Sequence, residues 1–234
     1  MNVMLDTLKE GLPQLGLDLP DEICRQLCDF GAAMVKQNEV MNLTAITEDA
    51  QVAKLHLLDS LSVLKCADLA GKTLIDVGCG AGFPGVPIAI ACPEAKVTLL
   101  DSLAKRVNWL ETILPQLGVA NTTCITARAE EAVVDCREKY DFATSRAVAR
   151  LNILLELTAP YVRVGGKVLA LKGAAAREEL AEAKNAIKKL GLELEEVKDF
   201  PVDGTNHSVI ILRKVAPTPK QYPRRYAKIK QAPL

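Results

Sequence analysis

Residues 74–85 read Leu-Ile-Asp-Val-Gly-Cys-Gly-Ala-Gly-Phe-Pro-Gly. An apolar run ending in Asp76 and Val77 predicts a buried strand, and the glycines at 78, 80, 82 and 85 predict a turn that opens into a helix, with Pro84 near the helix start where proline is tolerated. Glycines let a ligand lie against bare backbone, and ligands of parallel sheets sit at the carboxyl ends of the strands. Residues 80–85 satisfy the G-x-G-x-x-G template, and Asp101 ends the next predicted strand about 20 residues on, as a dinucleotide site requires. S-adenosylmethionine satisfies the same features, because both ligands carry an adenosine whose ribose hydroxyls bind an acid at that strand end. Asp76 leans the reading toward S-adenosylmethionine: a carboxylate suits a cationic amino-acid moiety and is unwelcome beside a pyrophosphate.

Outward from this stretch, β-rich runs alternate with helical ones, the signature of βαβ units. Strands are expected at 73–77, 96–101, 122–127, 141–145 and 167–172, with helices at 84–91, 105–117, 129–134, 151–161 and 175–190. Two further strands, 194–200 and 208–214, flank the Asp203-Gly204 turn and suit an antiparallel hairpin. Upstream, Ile23, Leu27, Phe30 and Met34 form one apolar stripe, and a second helix is expected from Thr47 as N-cap, with Val52, Leu55, Leu58 and Leu61 inward. The expected fold is therefore α/β and Rossmann-like: a seven-stranded, mostly parallel sheet with a terminal antiparallel hairpin. The expected organisation is an N-terminal helical cap (1–70), a cofactor-binding domain (71–214) and a basic C-terminal tail (215–234).

The chain has 234 residues, 49% hydrophobic and 25% charged, a balance that buries a sizeable core and excludes general disorder and fibrous repeats. No apolar run reaches the roughly 18–20 uncharged residues of a membrane span, and the acidic start differs from a signal peptide, so a cytoplasmic protein is expected. Seven scattered cysteines fit reduced thiols better than a disulfide framework. Cys24 and Cys28, four apart on a predicted helix, read as buried thiols, since no histidine pair accompanies them to hold a metal. Formal charge is zero, yet 215–234 carries Lys220, Arg224, Arg225, Lys228 and Lys230 and no acid, leaving 1–214 at −5. Arginine and lysine neutralise phosphates while Tyr222 and Tyr226 can stack on unpaired bases, so the tail is expected to contact RNA.

The run Asp76-Val-Gly-Cys-Gly-Ala-Gly resembles the D-x-G-x-G-x-G motif of class I methyltransferases. More closely, His56-Leu-Leu-Asp-Ser, Gly82-Phe-Pro-Gly-Val-Pro, Leu100-Asp-Ser-Leu-Ala-Lys-Arg, Arg128-Ala-Glu-Glu, Ser145-Arg-Ala and Leu171-Lys-Gly resemble, in order, the RsmG (GidB) family of bacterial 16S ribosomal RNA guanine-N7 methyltransferases. The resemblance spans about residues 25–214. It implies S-adenosylmethionine as cofactor and 16S ribosomal RNA or the small ribosomal subunit as partner; a monomer is expected.

Carried over residue by residue, Gly78 and Phe83 would contact the cofactor, with Asp76, Gly80 and Gly82 in the same loop; Asp101 and Ser102 would bind the ribose. Ala129 and Glu130 would sit at the adenine, and Arg146 would lie at the methyl-transfer site, the catalytic position. Guanine N7 carries a lone pair and no proton, so no general base is needed and no triad is expected; proximity and orientation supply up to roughly 7–11 kcal/mol in favourable cases. There is no Asn/Asp-Pro-Pro-aromatic motif and no Pro-Cys pair, and Cys79 reads as a small turn residue. His56 and Asp59, three apart on a helix, are expected to hydrogen-bond each other as a structural lid on the cofactor pocket. Lys105, Arg106 and Lys172 fall on the carboxyl-end face as candidate RNA contacts, as do Arg224, Arg225 and Lys228 in the tail. The competing readings are an NAD-dependent oxidoreductase, for which neither a second substrate domain nor a hydride-transfer acid or base is evident, and a non-catalytic RNA-binding module.

Overall fold

The computed structural model describes residues 2–202 and 204–234. Seven strands form one sheet: β1 (Thr73–Val77), β2 (Lys96–Asp101), β3 (Thr122–Thr126), β4 (Tyr140–Arg146), β5 (Val162–Lys172), β6 (Leu192–Val202) and β7 (Thr205–Lys214). Their spatial order is β3-β2-β1-β4-β5-β7-β6; the first five are parallel, and β7 runs antiparallel to both β5 and β6. The expected sheet and terminal hairpin are therefore present, although Asp203 of the expected turn lies outside the described residues. Strand β1 pairs with both β2 and β4, so the chain leaves it toward one edge and returns beside it from the other. Connections diverge at that switch point and leave a crevice.

Eleven α-helices cover the sheet among the described residues. On one face lie α1 (Val3–Gly11), α2 (Asp21–Met41), the short α3 (Asp49–Val52) and α4 (Asp59–Leu61), α5 (Gly85–Ala91) and α6 (Ala104–Gln116). On the other lie α7 (Ala129–Cys136), α8 (Leu151–Thr158), α9 (Ala176–Glu182), α10 (Lys184–Lys189) and α11 (Tyr226–Gln231). The stripe expected on α2 is buried through Leu27, Phe30 and Met34, while Ile23 is half-buried. Phe30 meets Phe83 at 5.3 Å and Trp109 at 6.1 Å between ring centroids, so the N-terminal helices share one core with the glycine loop and α6. Phe30, fully buried, contributes about 1.5–3 kcal/mol relative to exposure.

Local geometry departs from expectation in three places. The second N-terminal helix starts at Asp49, with Glu48 as N-cap, and widens into a π-type turn over Ala53–Leu58 before α4. The expected 175–190 helix is broken at the fully buried Ala183 into α9 and α10. The basic C-terminus, expected as a tail that contacts RNA, is a folded strap. Residues 215–225 run back beneath α7 and α8 to α11, with Tyr222 and Ile229 buried. The strap holds because the folded body supplies carboxylates and carbonyls that composition alone did not reveal. Arg224 donates two hydrogen bonds in a bidentate ion pair to the buried Glu156 (Nε to Oε1, 2.8 Å; Nη2 to Oε2, 2.6 Å), Arg137 donates to the Tyr222 carbonyl, and Thr218 N donates to Glu138 Oε1 at 2.8 Å. No helix among the described residues is long and apolar enough to cross a membrane.

Candidate active site

The loop after β1 is held open by backbone that only glycine adopts readily: φ is +77° at Gly78, +56° at Gly80 and +95° at Gly82. Gly78 N and Cys79 N donate to Leu100 O at 2.8 and 3.0 Å, tying the loop to the end of β2. Asp101 completes the tie: Oδ2 accepts from Gly80 N and Oδ1 from Leu103 N, each at 2.9 Å. Arg106 Nη1 lies 3.9 Å from Asp101 Oδ2. Above this loop is a cavity of about 510 Å³ lined by Gly78, Gly80, Phe83, Asp101, Ser102, Ala129, Glu130 and Arg146, so eight of the expected cofactor residues meet on one surface. A Cβ on Gly78 would stand 2.5 Å from the Val148 side chain, which shows how closely the loops after β1 and β4 converge.

Two expected residues stand elsewhere. Asp76 is fully buried behind the loop, where Oδ2 accepts the Gly85 N–H at 2.8 Å and Oδ1 has no hydrogen-bond partner. It does not line the cavity and has no route to a cationic ligand group; its role is to secure the start of α5. Burial raises its carboxyl to about 7, against the Gly85 hydrogen bond and the Arg146 charge, which pull it down. Gly82 is likewise packed beneath the cavity, where a Cβ would meet Val86 at 2.7 Å. Cys79, sealed in the loop, has its thiol pushed well up by burial and by the Asp76 and Asp101 charges, so it is no nucleophile.

Arg146, at the end of β4, forms a wall between this cavity and a second one of about 600 Å³. Its Nη1 donates to Leu55 O at 2.7 Å and to Asp59 Oδ2 at 2.9 Å, and its Nη2 faces His56 Nδ1 at 3.1 Å. His56 Nδ1 also lies 3.2 Å from Leu55 O, and Nε2 pairs with Thr44 Oγ1 at 2.9 Å. Burial, then the Arg146 charge, lower the His56 imidazole to about 4 and keep it neutral. The expected His56–Asp59 bond is absent; both side chains instead reach Arg146, because the helix turns them toward the end of β4. The guanidinium and the His56 ring also lie 5.2 and 4.7 Å from the Phe83 ring centre.

Asp59 is buried, which raises its carboxyl, but the hydrogen bond from His207 Nδ1 (2.8 Å) and the contacts with Arg146 outweigh that and hold it below the usual range. The same bond to Asp59 raises the His207 imidazole above its ordinary value, against burial. A group whose folded pKa is raised stabilises the fold fully below its unfolded value, near 6.5, and loses that contribution as pH rises through the folded value. Urea midpoints of wild type and His207→Gln should therefore differ most at and below about pH 6.5 and converge at alkaline pH; a constant difference would refute the linkage.

Among the expected RNA contacts, Lys105, Arg225 and Lys228 are exposed, and Arg106 lines the cofactor cavity. Lys172 and Arg224 are corrections. Lys172 is turned inward onto Glu179 Oε2 (2.8 Å) and Ala149 O (2.6 Å), and Arg224 is committed to Glu156; neither is free for a phosphate. Sequence reasoning missed Leu43, Thr44 and His207 on the cavity walls, and missed that Tyr226 belongs to the first cavity. His207 carried one usable signal, being one of only two histidines in the chain.

The residues present fit S-adenosylmethionine. The lining is bare backbone at Gly78 and Gly80, the Asp101 oxygens keep lone pairs for two hydroxyls after accepting one amide each, and the cavity falls within the roughly 300–1,000 Å³ of small-ligand sites. Comparison with known proteins agrees. A family model described as rRNA small subunit methyltransferase G (GidB) matches residues 23–209. Ribosomal RNA small subunit methyltransferase G of Clostridium beijerinckii is 42% identical over 234 residues, covering 98% of both chains. Its namesake in Pelotomaculum thermopropionicum is 41% identical over 239 residues, covering all of both. Among solved structures, TYW2 of M. jannaschii in complex with AdoMet superposes with a TM-score of 0.55 at 14% identity over 67% of this chain and 77% of that one. The precorrin-6y C5,15-methyltransferase of Geobacter metallireducens gives 0.52 at 13% identity, over 74% and 91%. At these identities the superpositions report the shared fold.

Proposed function

The chain belongs to the rRNA small subunit methyltransferase G family and is an S-adenosylmethionine-dependent ribosomal RNA methyltransferase; from that premise we propose that it methylates N7 of a guanine in 16S ribosomal RNA, within the small subunit or its precursor, as a cytoplasmic monomer. The observation that carries the acceptor reading is the meeting of two cavities at Arg146. The adenine end lies at Ala129 and Glu130 after β3 and the ribose at Asp101 after β2. The reactive end then lies toward β1 and β4, and the second cavity, past Arg146, is where a flipped-out base fits. This family membership leaves the NAD-dependent oxidoreductase and non-catalytic binder readings without support.

Bound in the first cavity, the cofactor supplies a methyl group on a positively charged sulfonium. The chain's part is placement. Asp101 and the glycine loop fix the adenosyl end, and Phe83 packs between the loop and His56. Arg146, clamped by Leu55, Asp59 and His56, fixes the wall between the two sites. Because N7 has no proton to lose, no side chain here has to move one, which agrees with a neutral His56 and an inert Cys79. Orientation of this kind supplies up to roughly 7–11 kcal/mol in favourable cases. Lys105, Arg225 and Lys228, exposed at the surface, are the proposed phosphate contacts.

Mass spectrometry of 16S fragments from cells with and without this protein tests the reading. One guanine-containing fragment should lose 14 mass units on deletion and regain them when the purified chain and S-adenosylmethionine are added to small subunits. An unchanged 16S fragment pattern would overturn it.

A further inference from the structure

The strap that the sequence presents as a basic tail ends at the cofactor cavity. Tyr226 lines that cavity at the end formed by Ala127, Ala129 and Glu130, and its backbone N–H faces Glu130 Oε1 at 3.3 Å. The segment leading to it is fixed at successive points. Lys214 Nζ donates to Ala159 O at 2.8 Å, Thr218 Oγ1 donates to Leu190 O at 3.1 Å, and Arg224 N donates to Glu156 Oε1 at 2.8 Å. Beyond Tyr226, Ile229 is fully buried against the α8 side of the sheet. An aromatic side chain is thus held at one end of a ligand cavity by a segment ordered on both sides of it.

We propose that Tyr226 is a cofactor-binding residue, the C-terminal strap covering the adenine end of the cavity with its phenol ring against the purine. This rests on the S-adenosylmethionine reading above and adds a contact contributed from outside the βαβ units. Aromatic faces hold purines by stacking worth roughly 1–3 kcal/mol per base, and a ring already immobilised by its backbone loses little further freedom when the purine arrives. Arg225 and Lys228, flanking Tyr226 in the sequence, are exposed and put positive charge on the same strap. The strap therefore joins the cofactor site to a surface suited to RNA phosphate.

Calorimetric titration of the full chain with S-adenosylhomocysteine and, separately, with adenosine tests the proposal in wild type, Tyr226→Ala, Tyr226→Leu and Tyr226→Phe. The alanine variant should bind both ligands about tenfold more weakly, by the same factor, and the phenylalanine variant within twofold of wild type. Leucine, which keeps the bulk that packs the strap but has no ring face, should weaken both ligands at least threefold; it decides the matter if alanine unsettles the fold. Wild-type affinity for S-adenosylhomocysteine in the leucine variant would overturn the proposal, as would weakening of S-adenosylhomocysteine with adenosine unaffected. Failure of the wild type itself to bind S-adenosylhomocysteine would instead overturn the cofactor reading.

Discussion

Asp101→Ala should bind S-adenosylmethionine at least 100-fold more weakly than wild type while remaining folded. The carboxylate does two things at once: it holds Gly80 N and Leu103 N at 2.9 Å each, and it presents its remaining lone pairs to the cavity. Hydrogen bonds to a charged group are worth about 1.5–3 kcal/mol each, so loss of two toward the ligand costs about 3 kcal/mol even at the lower figure, more than the roughly 2.7 kcal/mol of a 100-fold change. The glycine loop also loses its tie to β2 at Gly80, so the loss falls on both ligand contact and preorganisation. Asp101→Asn keeps one acceptor and should lie between the two. Equilibrium titration reads the effect; an affinity within threefold of wild type for Asp101→Ala would remove Asp101 from the site.

Arg146→Met should lower methyl transfer at least 100-fold and destabilise the fold by about 3–5 kcal/mol, the range for removing one partner of a buried ion pair. In the variant Asp59 stays buried with only His207 to compensate it, and Leu55 O loses its donor. Adding Asp59→Asn removes the stranded charge, so the double variant should recover most of the stability and none of the transfer. Denaturant unfolding and single-turnover methylation, measured on wild type, Arg146→Met, Asp59→Asn and the double variant, separate the two effects. Recovery of transfer together with stability would show that Arg146 acts only as a structural partner of Asp59. The rate expectation follows from positioning, where a displacement near 1 Å costs on the order of 100-fold.

The parts of this site that were legible in the sequence are the local ones. The strand-glycine-helix passage at 73–91 and the acid ending β2 declare themselves through spacing alone, because a few consecutive residues determine them. Asp76 shows the limit of that reading. Its place at the strand end was right, but the direction of its side chain, down into the core under Gly85, follows from the pleat and from how α5 packs. His56 and Asp59 were visible as a pair three apart, yet the group that organises them is Arg146, 90 and 87 residues further on. The fold of the strap was not legible for the same reason. Charge composition showed Arg224 and not its partner, since Glu156 is supplied by an element the sheet brings from elsewhere. Lys172 looked like a free cation until α9 placed Glu179 beside it. Leu43 and Thr44 sit on the cavity wall by virtue of the loop after α2, which carries no motif.

The first cavity takes its lining from Leu43 at one extreme and Tyr226 at the other. Translation runs from the first of these to the second, so the pocket lacks a wall until position 226 has been made. A nascent polypeptide still being threaded out of a ribosome, or one cut short by a premature stop codon upstream of position 226, emerges without a complete pocket.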